Sequence, residues 1–342
     1  MQATLNRNTP PDPNYLYSNQ IVEQEHYMQF IFKMVAASNN NNMDKIRNIE
    51  TLINEFNDNA TKDVDRFLSA FTNLLTLASS SEDNLKVIAA GVRIELLFNA
   101  LSEAKIGSRL SQPQNKSVLS DLCKFLRLVL TRFDPVDVFV KHRNYIIESL
   151  SETAVEEYHL ECMNQILRLA ENGNYEMFMS NPEILIFLIK SLGKPSLTIA
   201  SLSRKIILKV IVIDSSNGWI FSNEIYNEVS LLLKTKDAAI KFRVFEIFLD
   251  VLKVFPEHLQ KFEEIGSFDG LFADLTDSND VLSQLNALEV ITNLALIGNQ
   301  GLQFIEKKGT IEWLQLIVSS DDPFTQFVLP GNFQKNLILT LF

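Results

Sequence analysis

Apolar residues along this chain recur at intervals of three and four, and nowhere alternate with period two long enough to make a sheet strand. In the segment 43–57, Ile46, Ile49, Ile53 and Phe56 fall on one helix face, and 19–37 carries the same spacing. Residues 1–17 are polar and punctuated by Thr9-Pro10-Pro11-Asp12-Pro13, so they read as a flexible tail. The Asn39–Asn42 run reads as a low-complexity loop. Further breaks fall at Gly107–Lys116, Asp134-Pro135, Asn172-Gly173, Gly193–Pro195 and Ser215–Gly218. The pattern predicts an all-α chain, with the tail followed by a helical array over 18–342.

That array repeats internally. Val244, Phe248, Leu259, Phe262, Gly266, Phe268 and Leu271 recur 43 residues later as Ala287, Ile291, Leu302, Ile305, Gly309, Ile311 and Leu314. Going back by 42, Leu202, Ile220, Tyr226 and Leu233 align with Val244, Phe262, Phe268 and Leu275, and Ser180-Asn181 aligns with Ser222-Asn223. A period of about 40–47 residues belongs to armadillo and HEAT units. The last full unit fits that pattern closely. Asp277-Ser278-Asn279-Asp280 is a capping turn, and a long helix follows through Asn293-Leu294-Ala295. A short helix Leu302–Lys307 then ends at Gly309, and the helix Ile311–Val318 closes the unit. A fainter copy shows at Leu75–Ala78, Val87-Ile88, Gly91, Ile94 and Leu97. The predicted fold is an armadillo/HEAT-like repeat superhelix, since no such unit buries its own apolar stripe and neighbours must stack.

In the armadillo register the long third helices line a concave face. Positions two and six beyond Val244 and Ala287 project into it: Glu246 and Asp250, then Glu289 and Asn293, with Arg204 one repeat earlier and Arg243 nearby. These six are the candidate protein-binding residues, and they predict a groove that is acidic and polar in its C-terminal half.

Composition narrows the partner. The net charge of −11, with no local basic stripe, argues against nucleic acid, whose binding rests on phosphate neutralisation. No apolar run approaches a bilayer span and no signal-peptide pattern opens the chain, so no membrane role and a cytoplasmic or nuclear location are expected. Cys123 and Cys162 read as packing thiols in a reducing compartment.

Catalytic and cofactor signatures are lacking. There is no phosphate-cradling glycine loop and no nucleophile elbow, and the four histidines are widely spread. Glu23 and His26 have the spacing of a di-iron ligand pair but have no second copy. Glu156, Glu157 and Glu161 read as a solvated helix face, and Gly298-Asn299-Gln300-Gly301 as an interhelical turn. The expectation is a monomeric protein-binding array, not an enzyme, with no cofactor.

The C-terminal third carries a more specific resemblance. Thr235-Lys236-Asp237 with Phe242-Arg243-Val244-Phe245-Glu246-Ile247, and Gly309-Thr310-Ile311-Glu312, are followed by Asp321-Asp322-Pro323-Phe324 and Leu329-Pro330-Gly331. These segments resemble the non-ATPase regulatory subunit 5 family of the 26S proteasome. The resemblance implies a chaperone of regulatory-particle assembly. Such a protein binds the C-terminal domain of one base ATPase subunit and leaves before the mature particle forms. Members of that family continue for several more repeats, whereas this chain stops at Leu337–Phe342, so the array is expected to lack its C-terminal repeats. The alternatives are another armadillo adaptor (an Hsp70 nucleotide-exchange factor or a transport receptor) and an enzyme whose array supports a catalytic module.

Overall fold

The computed structural model describes residues 40–60, 62–102, 116–152, 156–213, 218–277 and 280–312, and every regular element among them is helical. The predicted tail 1–17, the helix expected over 19–37, the Gly107–Asn115 break and most of the helix expected at Ile311–Val318 lie outside the described residues. The chain divides into two compact units, Met1–Gln165 and Ile166–Phe342.

The first unit opens with α1 (Asn40–Asn59), followed by α2 (Val64–Ser80), α3 (Glu82–Gly91), α4 (Ile94–Ser102), α5 (Lys116–Leu130) and α6 (Pro135–Glu152). The loop expected at Asn39–Asn42 is corrected by the structure, because α1 already starts at Asn40. Asparagine disfavours a helix by only about 0.7 kcal/mol, and the run contains no Gly or Pro, so the apolar stripe beyond it propagates backwards. Ile46, Ile49, Ile53 and Phe56 are all buried, as their spacing predicts. Asp63 caps α2 by accepting from Arg66 N at 3.1 Å, a bond that contributes about 1 kcal/mol. α1 packs on α2 and α3, where Phe56 meets Phe67 with ring centroids 4.7 Å apart. The Asn57 side chain bridges the α3–α4 turn, donating to Gly91 O (2.9 Å) and accepting from Arg93 N (3.0 Å).

Two features of this unit were not visible in the sequence. α6 is bent at His142 (φ −117°, ψ 18°), so it is two short helices joined at a kink. Glu161, on α7 (Glu156–Glu171), is also no part of a solvated face: it is fully buried. Its carboxylate accepts from Arg127 Nε at 2.6 Å and from Gln165 Nε2 at 2.8 Å. A buried carboxylate needs such partners because an unpaired one would be costly.

In the second unit a sequence of short, middle and long helices occurs three times. The first is α8 (Tyr175–Met179), α9 (Pro182–Leu192) and α10 (Leu197–Ile213), of 5, 11 and 17 residues. The next is a 3₁₀ turn (Gly218–Phe221), α11 (Asn223–Leu233) and α12 (Ala238–Val254), of 4, 11 and 17 residues. A 3₁₀ turn (Pro256–His258) with α13 (Leu259–Glu264), then α14 (Asp269–Asp277) and α15 (Val281–Ala295) complete the third. α16 (Asn299–Lys307) opens a fourth. Like helices stack on like: α10 packs on α12, α12 on α15, and α9 on α11. The equivalent residues Asp237 and Asp280 cap the long helices, accepting from Ala239 N (2.9 Å) and Leu282 N (3.1 Å). Gly266 and Gly309 both sit at positive φ, 68° and 69°, where a Cβ would be strained. Between the layers lies an aromatic core centred on Phe268, whose ring is 6.0 Å from Phe245, 5.7 Å from Phe248 and 5.6 Å from Phe304.

Candidate functional site

Side by side, α10, α12 and α15 present the same positions at intervals of 42 or 43 residues. Along α10 the stripe is Leu197, Ser201, Arg204, Leu208 and Val212, spaced so that all share one helix face. On α12 it continues as Ala239, Arg243, Glu246, Asp250 and Val254, and on α15 as Leu282, Asn286, Glu289, Asn293 and Leu296 at its C-cap. The result is a ladder of rows across three long helices. Its outer rows are apolar and its central rows polar apart from Leu208.

The predicted residues occupy those central rows, and three of them meet. Arg204 donates from Nε and Nη2 to Asp250 Oδ2, at 2.9 and 2.8 Å, and from Nη1 to Glu246. Burial works against the Arg204 charge. The hydrogen bonds and charges of Asp250 and Glu246 more than offset it, so the guanidinium is held above its ordinary value. Asp250 is only 7% exposed and is also approached by Lys253 Nζ at 3.2 Å. The acidic groove expected from the sequence is therefore largely neutralised in the α12 repeat, where Arg204 and Lys253 satisfy both carboxylates. Asp250 is a clasp between α10 and α12, not a surface acid.

Arg243 plays a different part. Its Nη1 donates to Leu192 O at 2.8 Å and Lys194 O at 3.0 Å, tying α12 to the end of α9. One repeat on, Asn286 Nδ2 donates to Ala238 O at 3.2 Å, so α15 is tied to the start of α12. Glu289 is exposed, and Asn293 Nδ2 bonds back to Glu289 O at 2.9 Å within its own helix. Among the described residues neither joins the Arg204 cluster.

Sequence reasoning missed the apolar rows. Leu197 and Leu282 are 68% and 54% exposed at one end of the long helices, and Val212, Val254 and Leu296 are exposed at the other. Their spacing was the available signal, one repeat between Val212, Val254 and Leu296 and two between Leu197 and Leu282, since a leucine or valine recurring at a solvent position has no packing reason to do so. Toward the N-terminal ends an open groove of about 560 Å³ runs across the three helices, bordered by Leu197, Arg204, Phe242, Arg243, Glu246 and Leu282 among others. Among the described residues no set of His, Cys, Asp or Glu is grouped to hold a metal. No described helix is long and apolar enough to cross a membrane.

Stacked triads of helices with an open face along their longest members define an armadillo-type repeat protein. A comparison with family models refines that class. The model of the proteasome non-ATPase 26S subunit family matches residues 45–338, and the chain belongs to that family. It is 26% identical over 268 residues to the 26S proteasome non-ATPase regulatory subunit 5 of Bos taurus, covering 77% of this chain and 50% of the relative. The Homo sapiens protein of the same name is 26% identical over 253 residues, covering 73% and 47%. The chain thus spans about half the length of these curated relatives. A computationally designed armadillo repeat protein for modular peptide recognition superposes with a TM-score of 0.38 at 16% identity, over 86% of this chain and 100% of that one.

Proposed function

We propose that this chain is an assembly chaperone for the base of the 26S proteasome regulatory particle. It holds the C-terminal domain of one base ATPase subunit and is released before the mature particle forms. The observation that carries the reading is the family match over residues 45–338. The exposed long-helix face supports it, because rows of leucine and valine on either side of a polar ladder suit a protein partner. The six residues Arg204, Arg243, Glu246, Asp250, Glu289 and Asn293 belong to that contact face, with Asp250 acting through its hold on Arg204. The mechanism is occupancy and steric exclusion: while the chaperone covers the ATPase domain, docking onto the core particle is blocked. No covalent step and no cofactor take part. The protein works as a monomer in the cytoplasm or nucleus.

The purified protein, used as bait in a cell lysate, retains base ATPase subunits with few core-particle subunits on this account. Recovery of Hsp70 alone would move the protein to the exchange-factor class, and recovery of intact 26S particles would contradict release before maturation.

A further inference from the structure

We propose that the groove at the N-terminal ends of α10, α12 and α15 binds an extended acidic segment of the partner, with two apolar side chains flanking a carboxylate that docks on Arg243. The proposal rests on the partner reading above and specifies what the partner must present.

Two apolar anchors stand at opposite ends of the groove, Leu197 on α10 and Leu282 on α15, both more than half exposed. Phe242 lines the space between them. Arg243 lies on the middle helix, and its guanidinium is already oriented. Nη1 is spent on the carbonyls of Leu192 and Lys194, while Nε and Nη2 have no partner among the described residues. That free edge is the fork that binds a carboxylate in bidentate fashion, and the two carbonyl bonds fix it before a ligand arrives. The charge balance points the same way. Glu246 and Arg204 are paired with each other, and Lys205 with Glu171 at 3.5 Å. Among the described residues, Arg243 is the lining cation left without a carboxylate. A basic segment would leave that charge unmatched.

Geometry sets the spacing. Neighbouring helices pack about 8–10 Å apart, so the two anchors are separated by roughly 16–20 Å. A chain in the polyproline II form advances about 3.1 Å per residue with three residues per turn, so apolar side chains about six residues apart share one face with an acid midway between them. Because exposed leucines stand at both ends, the segment passes through, and its carboxylate comes from a side chain and not from a chain terminus.

The test uses the full chain and the labelled peptide Leu-Ser-Thr-Glu-Thr-Ser-Leu with acetylated and amidated ends, followed by fluorescence anisotropy. Saturable binding is expected, weakened about tenfold or more when the peptide's Glu becomes Gln. Arg243→Gln should bind the two peptides alike, and Leu197→Asp and Leu282→Asp, at exposed positions, should each weaken binding about tenfold. No saturable binding, equal affinity of the wild-type chain for both peptides, or tighter binding of a Lys-containing version overturns the proposal. So does equal binding of a peptide whose one carboxylate is its C-terminus. If Arg243→Gln loses helicity, the two leucine variants carry the test. Failure here with base ATPase capture intact removes the groove assignment alone; peptide binding without ATPase capture removes the partner.

Discussion

Replacing Arg204 by methionine tests whether the polar ladder holds the long helices together. The substitution keeps most of the aliphatic length and removes the guanidinium, and with it two bonds to Asp250 and one to Glu246. What remains is a carboxylate 7% exposed, with Lys253 at 3.2 Å as its surviving cation. Breaking a fully buried pair costs about 3–5 kcal/mol. Here Arg204 is partly exposed and Lys253 stays, so about 2–3 kcal/mol is the expected loss. If the second unit unfolds as one body, its melting temperature should fall by roughly 4–12 °C, measured by circular dichroism at 222 nm. The cause is separable from lost packing. Asp250→Asn in the Arg204→Met background removes the stranded charge, so the double variant should be more stable than additivity predicts by at least ~1 kcal/mol. A single variant within ~0.5 kcal/mol of wild type, or strict additivity in the cycle, would refute the clasp.

Other residues give independent checks. A Cβ at Gly301 would sit 1.9 Å from Leu294 O, so Gly301→Ala should force α16 away from α15 and cost about 2–4 kcal/mol. Gly309→Ala, with φ 69° and only distant neighbours, should cost about 1–2 kcal/mol, and thermal melts will rank the two. Burial, followed by the charge of Glu161, pushes the Cys123 thiol up to about 12. Peptide mass mapping should therefore find it unalkylated by iodoacetamide at pH 8 in the native state and modified once denatured. His142 is lowered from its ordinary 6.5 by burial, with Glu95 favouring the proton and Lys141 opposing it. The unfolded chain therefore takes up that proton first as pH falls. Stability present above pH 6.5 should be lost progressively below it, and His142→Phe should flatten that fall.

Much of the fold was legible because it is written several times over. The positive-φ glycines Gly266 and Gly309, the caps Asp237 and Asp280, and the three long helices recur at the expected interval. Each copy checks the others. Where the reading failed, the cause was an interaction the local pattern does not contain. Glu161 looked solvated because its partner, Arg127, lies 34 residues away on α5. The bend in α6 falls inside Lys141-His142-Arg143, where neither Gly nor Pro marks it. The armadillo register placed Arg204, Glu246 and Asp250 on one face. It did not show that they pair across α10 and α12, since the face a side chain occupies does not determine its partner. The apolar rows escaped notice because a helical pattern read for core positions assigns every leucine to the interior, although Leu197, Leu282 and Leu296 are exposed.

The central claim is that the long-helix face of the second unit is where a base ATPase subunit is held. Titration calorimetry with the purified C-terminal domain of each base ATPase subunit in turn tests it, comparing wild type with a chain carrying Leu197→Asp, Val254→Asp, Leu282→Asp and Leu296→Asp. All four side chains are exposed, so the fold should survive the changes. The account predicts one domain that binds wild type at one-to-one stoichiometry and binds the fourfold variant at least about tenfold more weakly at unchanged helicity. Undiminished affinity of the variant, or no binding by any of the domains, would contradict it.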